Sequence, residues 1–288
     1  MQKPTKYRLT LSLRVKLISA VHSHDLMPTS TILETHDLQK DFKGFVAVNR
    51  VSLKVERGHI HAIIGPNGAG KTTFFNLLTK FLAPSAGTIV FNGQDITADQ
   101  PAQVARRGII RSFQISAIFP HLSVLENVRV ALQRRSQQSF QFWRSEKSLH
   151  PLHERSLELL AEVGIESYAH HLSAELPYGL KRALEIATTL AMEPELMLLD
   201  EPTQGMGLED VQRVSELIKK VSADKTIIMV EHNMKVVASI ADRISVMQRG
   251  QVIAEGPYAE VSTNPQVLEA YMGQEEEPSA LESVPRAH

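Results

Sequence analysis

The sequence predicts an α/β fold built around a phosphate-binding loop, and three observations lead there. Residues 65–73 read GPNGAGKTT, set between the strand-like HIHAII and the helix-like KTTFFNLLTKFL. After Glu193 short apolar strands alternate with amphipathic helices, the pattern of a parallel sheet with right-handed crossovers. Before it, strand-like pieces from Ile32 to Phe91 suggest a second sheet around the loop, and apolar spacings of three and four from about Ser112 to Ala191 suggest a separate helical layer.

In chain order, residues 1–30 are basic, with no acid before Asp25, and Arg14 and Lys16 interrupt the apolar part that a signal peptide would need. They read as a poorly ordered extension, with Met27 a candidate downstream start. The strands TILETHDL, VSLKVE, HIHAII and GTIVFNG follow, the last ending in an Asn92-Gly93 hairpin signal. SVLENVRVAL and ERSLELLAEVGI read as helices of the 112–191 block. Between them, residues 133–150 are polar and basic around Phe140, Phe142 and Trp143, which reads as a surface loop with one aromatic anchor rather than a base-stacking platform. Then come strand LMLLD, helix EDVQRVSELIKKV, strand TIIMVE, helix NMKVVASIA, strand RISVM, a turn at Gly250 and strand QVIAE. Residues 274–288 are acidic and rich in turn formers, hence a fraying tail.

The 288 residues are 43% hydrophobic and 22% charged, enough for a real core, and the net charge of −1 gives no global field for nucleic acid. The chain has no cysteine, which excludes disulfides and thiolate metal sites. The pairs His22/His24, His59/His61 and His150/His153 lack a helical i,i+4 partner and a third ligand, so no transition metal is expected. No apolar run approaches the roughly 18–20 residues of a membrane-spanning helix.

The loop's chemistry follows from its residue types. Gly65, Gly68 and Gly70 let the backbone N–H groups of Gly65, Pro66, Asn67, Gly68, Ala69 and Gly70, proline excepted, turn toward phosphate oxygens, and the helix N-terminus at Lys71, Thr72 and Thr73 adds its positive dipole end. Lys71 can bridge the outer phosphates and Thr72 can offer its hydroxyl to Mg²⁺. The ligand this implies is a nucleoside triphosphate; a kinase, a GTPase, a motor and a transporter ATPase all remain open. ELMLLDEP is an apolar strand ending in Asp200 and Glu201, the place where such an enzyme holds Mg²⁺, with Glu201 one residue on and able to polarise a water. TIIMVEHN ends likewise in His232, whose parallel strand would bring it to the same edge. Gln114, in RSFQIS, is a candidate Mg²⁺ or water ligand at the junction with the helical block.

In order, GPNGAGKTT, Phe113-Gln114, ELPYGLKRALEIA, LMLLDEP and MVEH resemble the Walker A loop, Q-loop, signature motif, Walker B strand and switch histidine of ABC-type ATPases. The resemblance covers about residues 32–273, and RSFQISAIFPHLSVLENV, EHNMKVVASIADRISVMQRGQVIAEG and NPQVLEAYMG are similar to the ATP-binding subunits of branched-chain amino acid importers. It implies a P-loop NTPase (RecA-like) core with an antiparallel β-subdomain and an inserted helical subdomain near 112–191, all within an ATP-binding domain spanning 31–273. It also implies ATP and Mg²⁺ as cofactors, adenine stacked on Phe42 with Phe45 the alternative, and Leu176, Pro177, Tyr178 and Gly179 facing the ATP of a second cassette. Permease subunits in the membrane and, indirectly, a periplasmic or extracellular binding protein would be the partners, with no nucleic acid. The implied location is cytoplasmic, peripheral on the inner face of the cell membrane.

Two departures stand out. The signature of the family usually carries serine and glutamine where this chain has Pro177 and Leu180, and Gly207 stands where many relatives have the aspartate of the D-loop. These predict a weak signature opposite an intact ATP side, hence a heterodimer of cassettes. The alternative is a soluble ABC ATPase acting on nucleic acid or ribosomes, usually marked by tandem cassettes or a coiled-coil insertion; a phosphate-loop kinase would leave LPYGLKRALEIA without a purpose.

Overall fold

A computed structural model describes residues 31–112, 118–135 and 150–272, and the fold below is that of these residues. Strands β1 (Thr31–Phe42), β2 (Phe45–Glu56), β4 (Ala86–Phe91) and β5 (Gln94–Asp95) form an antiparallel sheet in the order β2-β1-β4-β5. Strands β3 (Ile60–Ile64), β6 (Ile109–Ser112), β7 (Leu196–Asp200), β8 (Thr226–Val230), β9 (Arg243–Gln248) and β10 (Gln251–Gly256) form a second sheet in the order β10-β9-β3-β8-β7-β6. All pairings in it are parallel except β9 with β10, which the turn at Gly250 joins as a hairpin. The helices are α1 (Lys71–Leu78), α2 (Pro101–Arg106), α3 (Val124–Arg135), α4 (His150–Glu162), α5 (Tyr178–Leu190), α6 (Leu208–Val221), α7 (Met234–Ile240), α8 (Tyr258–Val261) and α9 (Pro265–Met272).

The period-two alternation of the central strands sorts their side chains into two cores. Ile63, Leu196, Leu198, Ile228 and Val230 face α1 and the antiparallel sheet, where Phe74, Phe75, Ile89 and Phe91 complete one cluster. Ala62, Ile64, Met197, Leu199, Ile227 and Met229 face the other way, onto residues of α3, α4, α5, α6, α7 and α9. Every residue of β3, β7 and β8 is buried, as expected of parallel strands covered on both faces.

Local chemistry sets most element ends. The Asn92-Gly93 turn has φ +50 and +73, the left-handed pair a tight hairpin demands, and Lys43-Gly44 does the same between β1 and β2. At the start of α3, Ser123 and Glu126 cap each other's N–H groups at 3.2 and 2.8 Å, a reciprocal box. Two readings from the sequence need correction in extent. The helix expected through Leu82 ends at Leu78, because Lys80 turns left-handed and its ammonium binds the Thr97 carbonyl. β6, only four residues long, carried too little pattern to be separated from the helical block, yet it is the edge strand beside β7. The expectations for residues 1–30, for Gln114, for Phe140, Phe142 and Trp143, and for the 274–288 tail lie outside the described residues.

One buried histidine makes the fold acid-sensitive. His61, the second residue of β3, is 1% exposed, and its Nε2 lies 2.8 Å from the Ser245 hydroxyl. Ser245 donates onward to Glu255 at 3.0 Å, so the histidine nitrogen is the donor of the pair. Burial first, then Arg243 and His59, lower the His61 pKa to about 3. The unfolded chain therefore takes up a proton below pH 6.5 that the native state refuses, and stability falls as the pH drops from 6.5 toward 3. Each pH unit in that window costs about 1.4 kcal/mol. Urea denaturation at pH 7.0 and 5.5 should show His61→Gln losing about 1 kcal/mol less over the interval than the unsubstituted chain.

Candidate functional site

The phosphate loop leaves β3 and enters α1 through two glycines that only glycine can satisfy. At Gly65, φ is +147 and a Cβ would lie 2.1 Å from the Met247 carbonyl oxygen; at Gly70, φ is +99 and a Cβ would lie 2.3 Å from the Ala47 oxygen. The loop is thus held by β9 on one side and β2 on the other. Gly250 adds an N–H to the Ala69 carbonyl at 2.9 Å, while Asn49 donates to the Gly250 carbonyl at 2.8 Å. Lys71 is 7% exposed, and its ammonium donates to the carbonyls of Gly65 at 2.7 Å and Pro66 at 3.0 Å. Burial lowers its pKa, against the opposing pull of Glu201 and then Asp200. The cation and both carboxylates therefore share one electrostatic neighbourhood. Thr72, the next residue, is exposed, and Thr73 is half-buried.

Asp200 closes β7, buried, with its carboxylate paired to the Arg111 guanidinium of β6. Arg111 also donates to Asn76 of α1 at 2.6 Å. Glu201 follows with φ +46, a left-handed conformation that costs a non-glycine residue about 1–3 kcal/mol and persists only where the surroundings over-determine it. They do so here. Its N–H donates to the Val230 carbonyl at 2.9 Å, extending the β7–β8 ladder past the strand end. Arg182 of α5, 6% exposed, donates to the Asp200, Glu201 and Pro202 carbonyls at 3.2, 3.0 and 3.0 Å, and its remaining nitrogen binds Glu185 at 2.5 Å. Burial raises the Glu185 pKa and Arg182 offsets part of that. From this turn the Glu201 Oε1 meets His232 Nε2 at 2.5 Å. The two line a cavity of about 570 Å³ with Asn67, Gln204 and Glu231.

The candidate residues from distant parts of the sequence thus converge: the loop 65–73, Asp200, Glu201 and His232 stand at the carboxyl ends of β3, β7 and β8. Phe42 and Phe45 are paired across the tip of the β1–β2 hairpin and are 43% and 68% exposed. The Lys40 ammonium covers the Phe42 ring at 5.2 Å. Ala47, two residues past Phe45, touches Gly70, which ties this hairpin to the loop.

The signature segment is a helix start without a side-chain cap. Leu176 is buried, Pro177 occupies the N-cap position of α5 with no side-chain hydrogen bond, Tyr178 is 55% exposed, and Gly179 and Leu180 are buried. A serine there could accept or donate through its hydroxyl; proline can do neither. Leu180, at the glutamine position, packs inward.

The sequence reading missed Arg111, Arg182 and Glu231. Arg182 and Glu185 stood at i,i+3 spacing on an apolar helix, a pattern that usually marks a solvated pair. Glu231 was visible as an acid ending an apolar strand, overshadowed by the histidine after it.

The chain matches the ABC transporter family over residues 48–204 and the branched-chain amino acid ATP-binding cassette transporter family over 251–277. It is 37% identical over 253 residues to the high-affinity branched-chain amino acid transport ATP-binding protein BraF of Pseudomonas aeruginosa, covering 84% of this chain and 98% of BraF. It is 35% identical to LivG of Escherichia coli over 255 residues, with the same two coverages. Among solved structures, the ADP conformation of the ATP-binding cassette MJ1267 superposes with a TM-score of 0.77 at 30% identity, covering 85% of this chain and all of that one. The dimeric bacterial cassette MJ0796 gives 0.67 at 26% identity, covering 79% and 99%.

Two outcomes are expected from this geometry. Lys71→Ala, measured by equilibrium binding of labelled ATP, should weaken affinity by at least tenfold, since a hydrogen bond to a charged group contributes about 1.5–3 kcal/mol. Phe42→Ala should weaken ATP and GTP binding alike, by about tenfold for a stacked base, and more than Phe45→Ala does.

Proposed function

The chain belongs to the family of ABC transporter ATP-binding subunits and is an ATPase, and from that premise we propose that it energises uptake of branched-chain amino acids through separate membrane subunits. The relatives, named as branched-chain amino acid transport ATP-binding proteins, favour this importer reading over a soluble ATPase acting on nucleic acid or ribosomes. No helix among the described residues is long and apolar enough to cross a membrane, which suits a peripheral subunit bound to permease partners at the inner face. A binding protein outside the membrane would act through those permeases.

The observation that carries the catalytic reading is the Glu201–His232 contact at 2.5 Å beside the loop that holds Lys71. In this reading Gly65 to Thr73 wrap the phosphates and Lys71 exchanges its loop carbonyls for phosphate oxygens. Glu201 accepts a hydrogen bond from the attacking water and orients it, and His232 fixes the carboxylate and contacts the transferred phosphoryl group. The oxygen donors fit a hard divalent cation: an exposed Thr72 hydroxyl and the Asp200 carboxylate would hold Mg²⁺, with Gln114 as a third candidate. The metal would neutralise charge on the phosphates. Phe42 would stack the base.

The signature side is weaker. Leu176, Pro177, Tyr178 and Gly179 would meet the ATP held by a second cassette, and the uncapped start of α5 offers backbone N–H groups there but no serine hydroxyl, since Pro177 holds that position. One missing bond to a charged phosphate is worth about 1.5–3 kcal/mol, roughly a ten- to hundredfold loss in closing that site. A heterodimer limits the damage to one site, because a sister subunit with a regular signature then completes the intact ATP side of this chain. Dimeric cassettes are seen among the structural relatives.

In the reconstituted transporter, Glu201→Gln should reduce ATP turnover by 100-fold or more while ATP binding survives, removal of a catalytic group being worth at least about 10²–10⁴ in rate. The equivalent change in the sister should cost far less. Equal losses, or brisk turnover by this chain alone, would contradict the asymmetric arrangement.

A further inference from the structure

Glu231 is the first residue past β8 and is 3% exposed, yet among the described residues no ion pair involves it. Its carboxylate is satisfied by four uncharged donors. Oε1 accepts from the Thr203 N–H at 2.9 Å and the Thr203 hydroxyl at 2.7 Å; Oε2 accepts from the N–H groups of His232 at 3.0 Å and Asn233 at 3.3 Å. A carboxylate has about four acceptor positions, so its capacity is filled. The donors come from two different loops. Thr203 is two residues past Glu201, on the segment leaving β7, while His232 and Asn233 begin the segment leaving β8, where the Asn233 side chain caps α7.

One carboxylate therefore fixes the separation of the two segments whose side chains meet as Glu201 and His232. It works opposite Arg182, which takes the carbonyls of the same turn. The guanidinium holds the acceptors of residues 200–202, and the carboxylate holds the donors at 203, 232 and 233. Only an acceptor at both oxygens fits this arrangement. A glutamine of equal size would turn an amide N–H group toward two of the four donors, losing their bonds and setting donor against donor.

We propose that Glu231 is a positioning residue for ATP hydrolysis, a staple that keeps Glu201 and His232 in register and acts on turnover through them rather than on nucleotide affinity. The proposal rests on the reading that Glu201 and His232 carry the hydrolytic step.

The test is a double-substitution cycle on the chain assembled with the second cassette and membrane subunits that co-purify with it, following ATP hydrolysis as kcat and KM. Glu231→Gln should lower kcat by about tenfold or more, the cost of stranding buried polar groups, and leave the KM for ATP within about threefold. Combined with His232→Ala it should cost little beyond the larger single loss, because groups acting as one unit are non-additive. Wild-type kcat in Glu231→Gln, a raised KM with unchanged kcat, or losses that multiply in the double variant would overturn the staple. Wild-type turnover in His232→Ala alone would instead strike the reading of His232, and the cycle is then completed with Glu201→Asp on the same criterion. Should Glu231→Gln fail to assemble, Thr203→Val removes one donor only and should give a smaller kcat loss with the same non-additivity.

Discussion

The hydrogen bond from the Glu201 N–H to the Val230 carbonyl, at 2.9 Å, carries the β7–β8 ladder one residue beyond the end of β7. That extra rung sets the constraint on the whole site. Just past that rung Glu201 takes up a left-handed backbone and its side chain meets His232, and such a turn does not hold itself. Arg182 and Glu231 supply the hold from opposite sides, one reading carbonyls and the other reading N–H groups. Both are buried charges whose polar capacity is filled, mostly by backbone, the circumstance in which a buried network specifies one geometry.

The same logic extends outward. Arg182 sits four residues into α5, whose first turn is the signature segment, so the helix that would face a second cassette is bolted to the turn bearing Glu201. Arg111 links β6 to Asp200 and to α1, and β6 leads directly into the segment carrying Gln114. The phosphate loop is gripped by β9 and β2 at two glycines. The start of α5, β6 and the phosphate loop are therefore each tied to the strand ends by contacts within the chain. Against this, Pro177 leaves no side-chain hydrogen-bonding group at the start of the helix that would reach across to another subunit's nucleotide. The contrast between a fully determined ATP side and an uncapped signature helix is what makes an unequal pair of sites the economical reading.

Much of this was legible in the sequence because it is written in local pattern. Loop spacing, apolar strands ending in acids and the alternation after Glu193 each depend on a few adjacent residues, and the family resemblance set the order of the parts. Phe42 and Phe45 were visible as aromatics, although their pairing across a hairpin tip needed the β1–β2 register. What escaped was non-local. Arg182 lies 18 residues before Asp200, and Glu231 lies 28 residues after Thr203, so no window of sequence displays either contact. Strand β6 escaped for a different reason: four residues show too little alternation to stand out beside a helical block. The histidine at 61 was read only as one of a non-ligating pair, and its burial follows from the middle position of β3 between two parallel neighbours.

The central claim is that the hydrolytic turn is built in advance by buried charges rather than assembled by nucleotide. Amide hydrogen exchange at Glu201 and Thr203, compared with the β7 amides in the chain without nucleotide, tests it most directly. Preformation predicts that both amides are protected to a degree similar to β7 and that ATP with Mg²⁺ changes them little. Rapid exchange at Glu201 and Thr203 in the nucleotide-free chain, slowing only when ATP is added, would contradict it.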